Sequence, residues 1–340
     1  MFSKEKRADT SNGILFVTLF ALAATQISQW QWVHQWGISP LIIGIVLGIF
    51  YANTLHHRMP EAWLPGISFT ARRILRLAVM LYGFYITLQE VMMIGWIGFA
   101  TASIVVVSTL SIAYIVGVHV LGMDKQTTIL TGAGSAICGA AAILAFEPVL
   151  KAKGHQTASA VATVVVFGTL AMLIYPLVYQ LGILNLDAHG WGIYIGATVH
   201  EVAQVVGAAS DISQTVSNDA VIVKMTRVML LVPALLFVGW WWSKYGNSDY
   251  KDTHEALTIP WFALGFLTVV GFNSFHLLPT SWVMMLQHLD QFLLTMAMTA
   301  LGMETSLDKL KGVGIKPFIL AMVLFIWLMM GGYTVVSLLI

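Results

Sequence analysis

A histidine, a glutamate and a glutamine stand together at His200-Glu201-Val-Ala-Gln204, inside the otherwise apolar run Ile195–Ala209. Ionisable groups at membrane depth cost at least about 2.5 kcal/mol each on insertion scales, so they face a cavity or a partner. On a helix His200 and Gln204 are four apart and share a face. The pattern is one residue away from the His-Glu-x-x-His of zinc proteases, which requires two imidazoles and a glutamate base. Gln204 stands where the second ligand would be, and a neutral amide is a poor zinc ligand. A hydrogen-bond knot between helices is one remaining reading. A cluster that titrates a proton or orients a substrate is the other, since imidazole titrates near neutral pH.

Two cations follow, at Lys224-Met-Thr-Arg227. Three residues apart, they occupy neighbouring positions on one helix face. They would neutralise Glu201 as a buried pair, or offer positive charge to an anion, lysine as a point charge and arginine as a planar fork for two oxygens. The third feature is Thr131-Gly-Ala-Gly-Ser-Ala-Ile-Cys-Gly-Ala-Ala-Ala-Ile143. Gly132, Gly134 and Gly139 each weaken a helix by about 1 kcal/mol relative to alanine, and Ser135 and Cys138 lie between them. Small residues permit close helix packing. They also permit a helix to break and expose backbone N–H groups to an anion. Near the C-terminus, Thr299, Gly302 and Glu304-Thr305-Ser306 again put polar and small residues inside an apolar run. Two interrupted helices at matching places in two halves point to a substrate site. The remaining polar residues read as structural: Glu147-Pro148 as a helix end, Asn273 and His276 as caps, Asp290 as an interfacial acid at a helix start.

The elements that position these residues are membrane spans. The chain is 58% hydrophobic and only 10% charged, with a mean hydropathy of +0.81, against about 25% charged in soluble domains. Apolar runs of about 17–25 residues match the ~30 Å of hydrocarbon that a helix crosses at 1.5 Å per residue. The segmentation predicts about eleven crossings, at 13–30, 38–55, 72–91, 96–121, 127–149, 156–182, 190–209, 219–243, 259–277, 288–306 and 317–339. The polar leader with Lys4, Lys6 and Arg7 resembles the front of a signal peptide. No small-residue cleavage site follows it, so the first span is expected to be retained. A net charge of +1 offers no field for nucleic acid, and one cysteine allows no intrachain disulfide. Basic residues mark the cytoplasmic side. With the N-terminus inside, that side collects Arg58, Arg72, Arg73, Arg76, Lys125, Lys244, Lys251, Lys309, Lys311 and Lys316, and the outer side collects Lys151 and Lys153. Trp30, Trp32, Trp36 and Trp240 to Trp242 sit at expected headgroup levels.

A repeat of period near 151 residues is also legible. Leu41-Ile-Ile-Gly44 aligns with Ile193-Tyr-Ile-Gly196, and Arg76-Leu-Ala-Val-Met-Leu81 with Arg227-Val-Met-Leu-Leu-Val232. Five crossings being odd, two such copies would lie inverted, as in many secondary transporters. The expected organisation is an all-α polytopic membrane protein. Residues 1–37 form a tail and first helix, 38–185 one five-helix repeat and 186–340 its inverted copy, with two broken helices crossing.

Gly134-Ser-Ala-Ile-Cys-Gly139, Thr198-Val-His-Glu-Val-Ala-Gln-Val-Val206, Lys224-Met-Thr-Arg227 and Ala297-Met-Thr-Ala-Leu-Gly302 together resemble the YeiH-type family of proposed sulfate exporters. The resemblance runs from the second span to the end. That family is grouped with bile-acid-symporter-like transporters, which implies a panel domain and a core domain with two broken helices crossing at mid-membrane. It also implies sulfate, sulfite or an organosulfonate as substrate. The expected function is alternating-access transport of a small anion in the bacterial inner membrane. The expected substrate contacts are Gly134, Ser135, Cys138, Gly139, His200, Glu201, Gln204, Lys224, Arg227, Thr299, Gly302 and Glu304. No catalytic residue, bound metal or cofactor is expected, and the partners are the anion and the lipid bilayer. A coupling proton or sodium ion and a homodimer stay open, as do two rival classes: an intramembrane metal-dependent enzyme and an anion channel. Orientation is directly testable. Reporter fusions after Lys125 and after Ile340 should report opposite sides of the membrane; the same side for both would make the crossing count wrong by one.

Overall fold

The computed structural model describes residues 4–30, 39–54, 60–245, 261–305 and 314–340. Trp32, Trp36, Arg58, Lys251, Ser306, Lys309 and Lys311 lie outside the described residues. Among the described residues every regular element is helical. In chain order these are α1 (Lys4–Ser28), α2 (Pro40–Thr54), α3 (Leu64–Phe69), α4 (Leu75–Leu81), α5 (Leu88–Tyr114), α6 (Lys125–Ala133), α7 (Ala140–Leu150), α8 (Gly154–Gln180), α9 (Ala188–Thr198), α10 (Val202–Ser210), α11 (Gln214–Met229), α12 (Leu231–Tyr245), α13 (Trp261–Ser274), α14 (Thr280–Glu304) and α15 (Ile315–Leu339). Among the described residues five stretches are long and apolar enough to span a bilayer: Ala8–Ser28, Leu88–Val120, Gly154–Gln180, Gln214–Lys244 and Ile315–Leu339. Shorter apolar helices lie at Pro40–Thr54, Ala140–Leu150 and Trp261–Ser274. The chain is an all-α, multi-pass membrane protein.

Local chemistry sets the boundaries. The third expected crossing starts earlier and stops sooner than its apolar run, with helical turns from Glu61 to Tyr85. It stops there because Thr87, in extended backbone, starts α5 with a capping box, its side chain and that of Glu90 each accepting from the other's backbone N–H. Asp124, Asp187 and Ser213 likewise accept from Thr127, Gly190 and Val216 N–H at the starts of α6, α9 and α11. Such caps replace hydrogen bonds that the first turn of a helix lacks.

The helices pack as two groups. In the first, α1 to α4 gather around α14, with Val17, Ala21, Tyr51, Ile67, Met296 and Met303 as a buried apolar cluster. Gly48 of α2 and Gly302 of α14 let two backbones touch; a Cβ on Gly48 would lie 2.3 Å from the Thr299 carbonyl oxygen. In the second group, α5 to α11 and α15 surround the two interrupted helices. The helix α13 joins the first group through α4. The grouping therefore cuts across the two sequence halves, since α13 and α14 pack with α1 to α4.

The expected pair of interruptions is corrected on one side. The fifth crossing is broken, with α6 and α7 separated at Gly139. The tenth is not: α14 is one continuous helix through Thr299 and Gly302. A lone glycine inside a helix costs about 1 kcal/mol, and close packing on α2 offsets that. The second interruption lies instead in the seventh crossing, between α9 and α10. The second crossing, which the 151-residue period aligns with the seventh, is the unbroken α2.

This packing separates two glycines by the sign of their effect. Gly48→Ala should lower thermal stability by about 1–3 kcal/mol, the usual range for overpacking. Gly271→Ala, where an added Cβ meets nothing within 4 Å, should be neutral or stabilising by about 0.5–1 kcal/mol. Unfolding of both variants in the same detergent checks the contrast.

Candidate functional site

The fifth crossing breaks because Gly139 adopts φ 74°, ψ −136°, a conformation that residues with a Cβ avoid. Just before it, Gly134–Cys138 form one wide π turn. A Cβ at Gly139 would also lie 2.3 Å from Cγ of Glu201, so backbone and space both demand glycine. The seventh crossing breaks without a glycine. Val199 and Glu201 take extended backbone (ψ 147° and 152°), and Glu201 then becomes the N-cap of α10. The Gln204 amide oxygen accepts from Glu201 N–H at 3.2 Å, the reciprocal half of a capping box. The expectation that His200 and Gln204 share a helix face is therefore corrected. His200 precedes the helix that Gln204 belongs to, because the Glu-x-x-Gln spacing acts as a capping box.

The two interruptions meet, and charged side chains stand at their ends. On the carbonyl side stand Lys224 and Arg227 of α11, both fully buried. Lys224 Nζ donates to the carbonyls of Ile137 at 2.7 Å, Val199 at 2.8 Å and His200. Arg227 Nε donates to Ala136 at 3.0 Å. Its Nη1 donates to Gly196 at 3.3 Å and Val199 at 3.0 Å, and its Nη2 to Ser135 at 2.9 Å and Ala136. Three ammonium and five guanidinium hydrogens are matched by carbonyls, the full donor complement of each group. On the N–H side, the carboxylate of Glu201, the N-cap residue of α10, accepts from Ala140 N–H, the first residue of α7, at 3.2 Å. Cations thus sit at two helix C-termini and a carboxylate at two N-termini, the favourable sense of each helix dipole. Lys224 and Arg227 take an arrangement neither sequence reading contained: they neither bond the Glu201 carboxylate nor keep a donor free for an anion.

Against this crossing lies a cavity of about 150 Å³ between the two helix groups. Cys138, Ala140, Ala141, Glu201 and Val202 form its inner wall, Leu301 and Glu304 of α14 face them, and Arg72 and Arg76 line it from the first group. Since liquid water takes about 30 Å³ per molecule, the volume admits a small oxyanion with solvent.

The expected site residues thus divide. Cys138, Gly139, His200, Glu201, Gln204, Lys224 and Arg227 come together at the interruptions, with Ser135 contributing its carbonyl. Glu304 lines the cavity from the opposite wall. Gly134 is a packing position, where a Cβ would press on Ile143 and Val164 at 2.7 Å. Thr299 donates to the Thr295 carbonyl at 2.8 Å and, with Gly302, faces α2 rather than the crossing. The sequence reading missed Arg72 and Arg76 as site residues, treating them as topology markers. Their signal was the position of Arg76 within an apolar run. Asp290, expected at an interface, is fully buried within α14, and neither carboxylate oxygen has a hydrogen-bond partner among the described residues. Both ring nitrogens of His200 and the Gln204 amide nitrogen are also buried without such partners.

Comparison with known proteins agrees with the motif resemblance. Residues 12–321 match the family described as Conserved hypothetical protein 698. The chain belongs to this family. A UPF0324 membrane protein from Bordetella pertussis is 51% identical over 332 residues, covering 97% of this chain and 95% of that protein. Relatives of the same name occur in Pseudomonas putida, 49% identical over 324 residues (95% and 92% covered), and in Bacteroides thetaiotaomicron, 46% identical over 328 residues (96% and 97% covered). The YeiH-type resemblance is to this same family.

The charge balance predicts which substitution harms folding. Arg227→Lys keeps the charge but loses at least two hydrogen bonds to buried carbonyls. Each charge-assisted bond contributes about 1.5–3 kcal/mol, so the variant should lose at least about 3 kcal/mol. Thermal unfolding in lipid nanodiscs reads this, and an unchanged Tm would mean that Arg227 does not hold the crossing together.

Proposed function

We propose that the protein is a secondary transporter that moves a small oxyanion, of the sulfate, sulfite or organosulfonate type, by alternating access. The observation that carries this reading is the cavity between the two helix groups. It ends at the N-terminus of α7 and is lined by Arg72 and Arg76. Backbone N–H groups at a helix start attract anions. Arginine supplies planar, bidentate donors for an oxyanion, and a dry carrier site needs both to offset the anion's desolvation. In transporters, half-helix N-termini near the bilayer midplane serve anionic groups in this way while one helical body rocks against another. Here the second group, with both interruptions, would move against the first. On this reading the protein lies in the bacterial inner membrane with its N-terminus cytoplasmic and its C-terminus outside, an orientation that the basic loops support. Arg72 and Arg76 then lie on the cytoplasmic side.

The metal-enzyme alternative loses its second ligand in this geometry. The Gln204 amide oxygen is engaged by the Glu201 N–H, and His200 lies outside α10. A carrier, rather than a channel, fits a cavity closed on its inner side by the crossing.

Purified protein should be stabilised by the anion that it carries, since a ligand raises the stability of the state it binds. The screen compares sulfate, sulfite, methanesulfonate, acetate and chloride by thermal shift, followed by uptake into proteoliposomes. An oxyanion shift in the wild type that Arg76→Gln reduces at least tenfold in affinity supports the reading. No shift with any oxyanion, or an equal shift in Arg76→Gln, contradicts it.

A further inference from the structure

We infer that Glu201 is the protein's own anion at the substrate position, and that a proton on its carboxyl group is what admits the transported anion. This rests on the proposed anion site and names its coupling ion. Glu201 is 7% exposed, yet its carboxylate holds the N–H of Ala140 at the start of α7 and is itself the N-cap of α10. The Ala140 N–H is the donor that an anion in the adjoining cavity would use. The same carboxylate lines that cavity beside Ala140 and Ala141. Two anions at one helix start repel at a separation where little water screens them. An oxyanion therefore enters either by displacing a charged Glu201 into a membrane interior or by meeting it neutral. The second route costs far less.

Polar atoms without partners adjoin this carboxylate in the chain. The Gln204 amide nitrogen, fully buried at the start of α10, has no hydrogen-bond partner among the described residues, and neither ring nitrogen of His200 has one. The Gln204 amide oxygen accepts from the Glu201 N–H, and its side chain packs against Gly168 of α8.

The exchange balances in simple terms. Glu201 carboxylate takes one proton from the aqueous cavity and becomes a neutral acid. The Ala140 N–H turns to the incoming oxyanion, and release on the other side returns the proton with it. Anion and proton move in the same direction. Other ionisable groups face Glu201: Cys138 across the break, His200 beside it and Lys224 behind it, with Glu304, Arg72 and Arg76 around the cavity. Lys224 and Arg227 are engaged by carbonyls, and the arginines stay charged. His200 and Glu304 are the competitors for the proton, and each has a variant that tests it.

Sulfate and methanesulfonate are the probes, because neither titrates in the neutral range. Binding is followed in weakly buffered solution with a pH indicator and by calorimetry from pH 5.5 to 8. Above the Glu201 midpoint the wild type should take up one proton per anion, with Kd rising tenfold per pH unit, and below it the uptake should fall away. Glu201→Gln, which imitates the neutral acid, should bind with a Kd independent of pH and take up no proton. His200→Asn and Glu304→Gln should keep the uptake. Binding by the wild type without proton uptake overturns this inference and leaves the anion site standing, as does uptake that survives in Glu201→Gln. Uptake lost in His200→Asn or Glu304→Gln and kept in Glu201→Gln assigns the proton elsewhere and equally overturns it. No binding of either probe to the wild type removes the anion site, and this inference with it.

Discussion

Backbone polar groups have no water to bond inside a bilayer, so a helix that stops at mid-membrane leaves groups that the protein must satisfy itself. This chain stops two helices inside the bundle. Four ends result, two of carbonyls and two of N–H groups. Lys224 and Arg227 take the carbonyls, and Glu201, the N-cap of α10, takes the Ala140 N–H at the start of α7. Much of the unusual sequence follows from that one demand. Gly139 is needed to break the first helix and to leave space for the Glu201 stem. Gly168 of α8 leaves space for the Gln204 side chain, whose oxygen would lie 2.0 Å from a Cβ there. The cations stand on α11 because that helix packs against both α9 and α10.

The arrangement separates charge by function. The two cations are held by carbonyls from both interrupted helices, so they tie the crossing into one body. Truncating either would bare several acceptors at once, a loss larger than that of an ordinary surface ion pair. The carboxylate is different. It accepts from one backbone N–H, it borders a cavity, and it can be neutralised by a proton. Stability rests on the cations, and the capacity to exchange one anion for another rests on Glu201. The first helix group, closed by glycine contacts between α2 and α14, brings Arg72, Arg76 and Glu304 to the same cavity from the other side.

The sequence made the membrane class and the positions of the helical segments legible, since apolar run length is a direct physical requirement. It also marked the fifth crossing, whose glycines weaken a helix, and the polar clusters at His200–Gln204 and Lys224–Arg227. It misled where one signal has two physical causes. Gly302 and Thr299 read as a helix break but are a contact surface for α2, because small residues serve both ends. The real second break carries no glycine. Its signal was the Glu201-x-x-Gln204 capping box, hidden by its likeness to a metal motif on a continuous helix. That Lys224 and Arg227 bind carbonyls was beyond sequence, because backbone acceptors have no letter of their own. Arg72 and Arg76 were legible as charges, but only packing between the two helix groups turns them toward a cavity.

The central claim is that an anion is held where α7 begins, between that helix end and the arginines of the first group. Its most direct test is the alkylation rate of a cysteine placed at Ala141, in a Cys138→Ala background, by a small uncharged maleimide. The account predicts that sulfate or methanesulfonate slows labelling several-fold in a saturable manner, and that Arg76→Gln removes the protection. A labelling rate unaffected by either anion at any concentration would contradict it.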